Sequence, residues 1–215
     1  MRQLELEMFD HGGAREGAGR PRGVRPNARH RPREQHRRAH PVHVTMRARE
    51  GLPSLREPVI TQEVMRRIRA ANASRRLRHL FRVVHFSIQD DHVHLVVEAE
   101  SDALSRGMQG LAIRIARNVN ALLGIRGGFW GDRFHARELT HPRSVRNALV
   151  YVLMNVKKHE PRWGDALDPC SSAPWFFTEH DTRDSPVRMS FTWLGSKGWC
   201  LHGPIRADER PRAPN

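Results

Sequence analysis

Two histidines separated by one residue, His92 and His94, are the side chains whose types and spacing point most directly to chemistry. They fall in His92-Val93-His94-Leu95-Val96-Val97-Glu98, a β-branched, alternating stretch that reads as a strand. Residues two apart in a strand leave the same face, so both imidazoles project together while Val93, Leu95 and Val97 point to the other side. Two such imidazoles make a ready bidentate site for a divalent cation. The chain holds 14 histidines, however, and unrelated pairs are also expected in it; a metal site needs further ligands. Farther along, Tyr151, the only tyrosine, and Asn155 stand four apart in a helical pattern, on one face and one turn separated. An asparagine oxygen can complete a histidine-based cation site. A helix tyrosine equally serves as packing with its hydroxyl at the rim. Spacing alone leaves both readings open.

The elements that must position these residues follow from periodicity. Val42-His43-Val44-Thr45-Met46-Arg47 alternates and reads as the first strand. A helix follows, with Thr61 as its expected cap, Glu63 in its first turn, an apolar stripe of Val64, Ile68 and Ala71, and arginines off the stripe. Leu80 to Ile88 is a second strand, and the polar Gln89-Asp90-Asp91 turns it into the histidine strand as a hairpin. Asp102 opens a second helix carrying Leu104, Met108, Leu111, Ile115, Val119 and Leu122, ended by Gly124. Arg133 to Leu139 is the fourth strand, and a third helix is expected from Ser144 to His159, before Pro161. The order β-α-β-β-α-β-α predicts an α+β, ferredoxin-like antiparallel sheet with helices on one face and an added C-terminal helix.

Composition bounds the partner. Lys and Arg number 37 against 23 Asp and Glu, a formal net charge of +14, which favours a polyanion and nucleic acid above all. No apolar run approaches a membrane span, no secretory stretch opens the chain, and two cysteines without CxxC spacing argue against a disulfide framework or zinc ribbon. A cytoplasmic, nucleoid-associated protein is expected. Residues 1–40 read as a basic, disordered arm, 41–160 as the catalytic domain and 161–215 as an irregular C-terminal extension. Within the arm, Ala18-Gly19-Arg20-Pro21-Arg22-Gly23 resembles an AT-hook core, so Arg20 and Arg22 are candidate DNA contacts; a plain electrostatic tether is the alternative.

These segments together resemble a family. His92-Val93-His94-Leu95 is similar to the HUH motif of the IS200-like single-tyrosine transposases. Tyr151-Val152-Leu153-Met154-Asn155-Val156-Lys157 resembles the Tyr-Ile-x-x-Asn-Pro-Val-Lys helix of their REP-associated tyrosine transposase branch. Phe129 to His135 is similar to its Trp-Gln-x-Arg-Phe-His stretch, His43 to Arg47 to its opening His-Val-Thr-x-Arg, and Ser171 to Phe176 to its tail. Two departures stand out. Asp90-Asp91 replaces Pro-Asn before the first histidine, and Asn155-Val156 replaces Asn-Pro. The aspartates either weaken DNA binding by their charge or give a histidine an outer partner. Val156 is expected to let the helix run straighter toward Lys157 and Lys158.

The resemblance implies that His92, His94 and Asn155 hold Mg²⁺ or Mn²⁺, and that Tyr151 attacks single-stranded, hairpin-forming DNA to give a 5′-phosphotyrosine link. It also implies a monomer or a homodimer, with the tyrosine helix used within a chain or across the pair. Arg133, His135, Lys157, Lys158, Arg66 and Arg67 are the further candidates for nucleic-acid contact, with Arg69, Arg75 and Arg76 beside them on the first helix. Rival readings are a catalytically silent, domesticated DNA-binding protein and a single-stranded RNA-binding module. The latter would show adjacent aromatics on its central strands, where this chain has histidines. No HExxH-like glutamate supports a zinc hydrolase.

Overall fold

Alternation in the central strands is carried through to two buried layers. In the computed structural model, which describes residues 36–74, 79–100, 102–159, 164, 166–178 and 184–211, four antiparallel strands form one sheet. They are β1 (Val42–Arg47), β2 (Phe81–Ile88), β3 (His92–Ala99) and β4 (His135–Glu138), in the order β2-β3-β1-β4. Val44, Met46, Val93, Leu95 and Val97 leave one face and pack with α1 (Pro58–Ala73) and α2 (Ala103–Leu123). Val96, of opposite parity, leaves the other face and packs with α3 (Pro142–Leu153) through Val145, Leu149 and Val152. The sheet is therefore covered on both sides, and the histidine face is the one that meets α3. The arm with Arg20 and Arg22, and Arg75 and Arg76, lie outside the described residues.

Several boundaries differ from the sequence reading, each for a local reason. The first helix starts at Pro58, whose fixed φ and missing N–H suit a first helical position, so Thr61 is inside it rather than capping it. Thr61 Oγ1 instead donates to the Leu55 carbonyl at 2.8 Å. The third helix likewise starts at a proline, Pro142, under a reciprocal cap between His141 and Ser144. It does not run to His159. Met154 and Asn155 interrupt it, and a separate short turn, α4 (Val156–His159), follows with hydrogen bonds three residues back, Lys157 N to Met154 O and Lys158 N to Asn155 O, both 3.0 Å. Replacing proline by valine thus does not straighten the helix. The α2 helix ends as expected on Gly124, at φ 65°.

The segment after Pro161 holds α5 (Ala173–Phe177), α6 (Trp193–Ser196) and a 3-10 turn at Gly198–His202. It is tied to the sheet by buried polar groups. Glu98, 0% exposed at the end of β3, accepts from Phe191 N at 2.7 Å, Thr192 Oγ1 at 2.6 Å, Thr192 N at 3.3 Å and Ser190 Oγ. Arg146 of α3 donates to the carbonyls of Gly203 and Pro204 and pairs with Glu209. Among the described residues no helix is long and apolar enough to cross a membrane.

His85 of β2 supplies a pH-dependent element of this packing. Its Nδ1 lies 3.2 Å from Ser172 Oγ and its ring meets Phe176 edge-on at 5.6 Å, and burial pushes its pKa from the ordinary 6.5 to about 4. The folded protein therefore holds this ring neutral where the unfolded chain would already be protonated. Stability from it is complete above pH 6.5 and is lost as pH falls toward 4, by roughly 3 kcal/mol in total. Denaturant midpoints measured from pH 7 to 4.5 should fall less steeply for His85→Gln than for the natural chain. Equal slopes would show that this imidazole does not titrate as its burial requires.

Candidate active site on the histidine face of the sheet

Pairing register brings the site together. β1 and β3 align Thr45 with His94, Arg47 with His92 and His43 with Val96, while β4 sets His135 beside Thr45. Residues directly opposite in an antiparallel pair share a face, so His135, Thr45 and His94 form one row across three strands. His94 is 5% exposed and is the hub of the cluster. Its ring centroid lies 4.6 Å from His92, 5.2 Å from His43 and 5.0 Å from Tyr151, the contacts with His92 and Tyr151 being edge-to-face. Its Nδ1 lies 3.1 Å from Thr45 Oγ1 and 3.3 Å from His43 Nε2. His43 also meets Tyr151 edge-on at 5.8 Å. Burial, and then the Arg137 charge, push the His43 pKa down to about 4, which keeps this supporting ring neutral.

Tyr151 sits in the last turn of α3, half-buried, with the Lys158 ammonium 5.4 Å from its ring centre. The break that follows buries Asn155 completely, and neither its Oδ1 nor its Nδ2 has a hydrogen-bond partner. A buried amide left unpaired costs on the order of 1–3 kcal/mol per group, so this side chain calls for a ligand. Among the described residues no three His, Cys, Asp or Glu side chains gather as a metal site, so the candidate donors are the two imidazoles and the amide that the family resemblance named. Neutral nitrogen and oxygen donors of that kind suit a divalent cation such as Mg²⁺ or Mn²⁺ completed by phosphate oxygens.

A cleft of about 520 Å³ opens beside the histidines, lined by Thr45, Arg47, His92, His94, Arg133 and His135 together with Asp91 and Asp132. Two of the sequence candidates for nucleic-acid contact, Arg133 and His135, thus stand in the same cleft as the histidines. Asp91 is close to both His92 and Arg47, and the His92 hydrogen bond, aided by Arg47, holds its carboxyl below the usual range.

Other candidates are placed elsewhere. Lys157 is 3% exposed, and its ammonium donates to the Ala207 carbonyl, so it holds the C-terminal segment rather than facing solvent. Arg66 and Arg67 both pair with Glu63, at 2.6 and 2.8 Å, on α1, across the sheet from the histidines. His43 and Thr45 were not among the candidates chosen from sequence. Their signal was the strand parity that also selected the histidines, but the register that sets them against His94 is not a property of either strand alone.

A family profile described as Transposase IS200 like matches residues 42–153, just over half of the chain. Among solved structures, the chain is similar to a REP-associated tyrosine transposase bound to a REP hairpin, with a TM-score of 0.52 and 16% identity over 66% of this chain and 81% of that one. At that identity the likeness is one of fold. No curated protein matches the chain significantly.

Proposed function

The chain belongs to the IS200-like transposase family, and from that premise we propose that it cleaves and rejoins single-stranded, hairpin-forming DNA with Tyr151 as nucleophile. The observation that carries this reading is the seating of the sole tyrosine on His94, on the face that His92 and His94 share. His92, His94 and Asn155 are the residues that would hold Mg²⁺ or Mn²⁺. When bound there, the cation supplies Lewis-acid polarisation of a non-bridging phosphate oxygen.

The remaining work falls to the chain. Thr45 and His43 hold His94 at Nδ1, so Nε2 is the nitrogen that serves as donor. Arg47, Arg133 and His135 line the cleft beside it and meet the phosphates flanking the scissile bond. Tyr151 Oη attacks phosphorus, the bond to the 3′ oxygen breaks, and that oxygen leaves as a hydroxyl with the proton given up by the phenol. The product is a 5′-phosphotyrosine ester. Its energy is close to that of the original diester, so attack by a 3′-hydroxyl reverses the step and rejoins strands without ATP. A single strand suits this face because its backbone can bend into a cleft that a duplex cannot enter.

The test is incubation of the full-length protein with end-labelled hairpin DNA, followed by denaturing gels. A covalent adduct should form with Mg²⁺ or Mn²⁺, vanish with a chelator, and fail with a blunt duplex of the same sequence. An adduct that persists undiminished in chelator would remove the cation from the reading. No adduct with any divalent ion or hairpin would leave a DNA-binding protein without cleavage.

A further inference from the structure

Asp91, which the steps above leave unused, joins Arg47 to His92. Asp91 Oδ1 accepts from His92 Nδ1 at 2.6 Å, and Asp91 Oδ2 accepts from Arg47 Nε at 3.0 Å and Nη2 at 2.7 Å. The backbone that carries the carboxylate is itself held in place. The Asp91 carbonyl accepts from Ala48 N and the Asp90 carbonyl from Leu55 N, both at 2.8 Å, and Ser54 Oγ donates to Asp90 Oδ1 at 2.6 Å. The turn before β3 is thereby fastened to the segment that leaves β1.

Two consequences follow from this geometry. Each oxygen of Asp91 accepts from a neighbouring side chain, which turns the carboxylate toward His92 on one side and Arg47 on the other. A neutral imidazole that donates from Nδ1 carries its lone pair at Nε2, the atom that can bind a cation. The Arg47 partner also offsets the Asp91 charge locally, which removes the expected penalty of an aspartate beside a phosphate site.

We propose that Asp91, braced by Arg47, is a positioning residue that locks His92 as the Nδ1–H tautomer and presents Nε2 to a divalent cation. This rests on the reading of His92 as a cation ligand given above. Asp91→Asn retains an acceptor oxygen for the imidazole, whereas Asp91→Ala removes it. Arg47→Gln removes the brace while leaving Asp91 and His92 in place, and because Arg47 also faces the phosphates it is read only without DNA.

Two measurements on the full-length protein without DNA test it. Long-range ¹H–¹⁵N spectra of the histidine rings at pH 8 should show His92 as Nδ1–H in the natural protein and in Asp91→Asn. In Asp91→Ala the Nε2–H form should appear. Mn²⁺ titration followed by electron paramagnetic resonance should show affinity about tenfold weaker in Asp91→Ala, within about threefold in Asp91→Asn, and intermediate in Arg47→Gln. In a His92→Ala background, Asp91→Ala should have no further effect on Mn²⁺ affinity. The proposal is overturned by an Nε2–H His92 in the natural protein, or by an equal effect of Asp91→Ala with and without His92, which would mean its charge acts at a distance. Neither readout uses Tyr151. A protein that passes both but forms no DNA adduct refutes strand cleavage and leaves the role of Asp91 standing.

Discussion

Tyr151→Phe is expected to bind hairpin DNA within about twofold of the natural protein and to form essentially no covalent adduct, a loss of at least about 10³-fold. The substitution is a clean one because the ring, not the hydroxyl, makes the packing seen at this position. Phenylalanine keeps the edge contacts to His94 at 5.0 Å and His43 at 5.8 Å, and it keeps a ring face for the Lys158 ammonium. Melting temperature should move by no more than a few degrees. Tyr151 is also the only tyrosine in the chain, so no second phenol can substitute for it. Peptide mapping of the natural adduct should return the 151 peptide alone. An adduct of natural yield in Tyr151→Phe would overturn the assignment of the nucleophile.

Glu98→Ala should be the most destabilising single change outside the site, at about 3–5 kcal/mol. Glu98 is fully buried and accepts from two hydroxyls, Ser190 and Thr192, and from the backbone N–H groups of Phe191 and Thr192. Alanine removes the acceptor for all four donors, of which the two on Thr192 are buried, at a cost of about 1–3 kcal/mol for each group left unpaired after relaxation. For a chain of this size that corresponds to a fall of roughly 10 °C in the thermal midpoint. The effect should reach the active face as well. The segment that Glu98 anchors continues through Gly203 and Pro204, whose carbonyls bind Arg146 of α3, to Ala207, whose carbonyl binds Lys157. Loosening it frees the helix that carries Tyr151. Glu98→Gln keeps one acceptor oxygen, enough for the three donors that meet Oε1, and should lose less than half as much, whether read by denaturant or by heat. Equal losses for alanine and glutamine would mean that the negative charge of the acceptor, rather than the mere presence of an acceptor oxygen, holds the four donors.

The two changes divide the molecule as the sequence itself does. Strand parity is a local property, and it alone placed His92 and His94 on one face and Val93, Leu95 and Val97 on the other, as found. The element order, the hairpin at Asp90-Asp91 and the end of α2 at Gly124 were legible for the same reason, since periodicity and turn chemistry act over a few residues. Helix starts were less so, because Pro58 and Pro142 set them ahead of the polar residues that look like caps.

What lay beyond the sequence depends on neighbours distant in the chain. Helical spacing put Tyr151 and Asn155 on one face of a continuous helix, but the helix breaks at Met154, so the tyrosine packs on His94 while the asparagine is buried in the interruption. The family resemblance marked Lys157, and the arginine-rich face of the first helix marked Arg66 and Arg67, as cations for DNA, yet one is held beneath the C-terminal segment and two are paired on the far layer, because neither signal carries information about which layer covers a residue. The place of Asp91 was open in sequence and was decided by the β1–β3 register that sets Arg47 opposite His92. Sequence determined that two imidazoles face one way, since a strand's pleat fixes that by itself. Tertiary structure decided what meets them, since the partners come from elements whose register and packing are settled only when the sheet and its two covering layers form together.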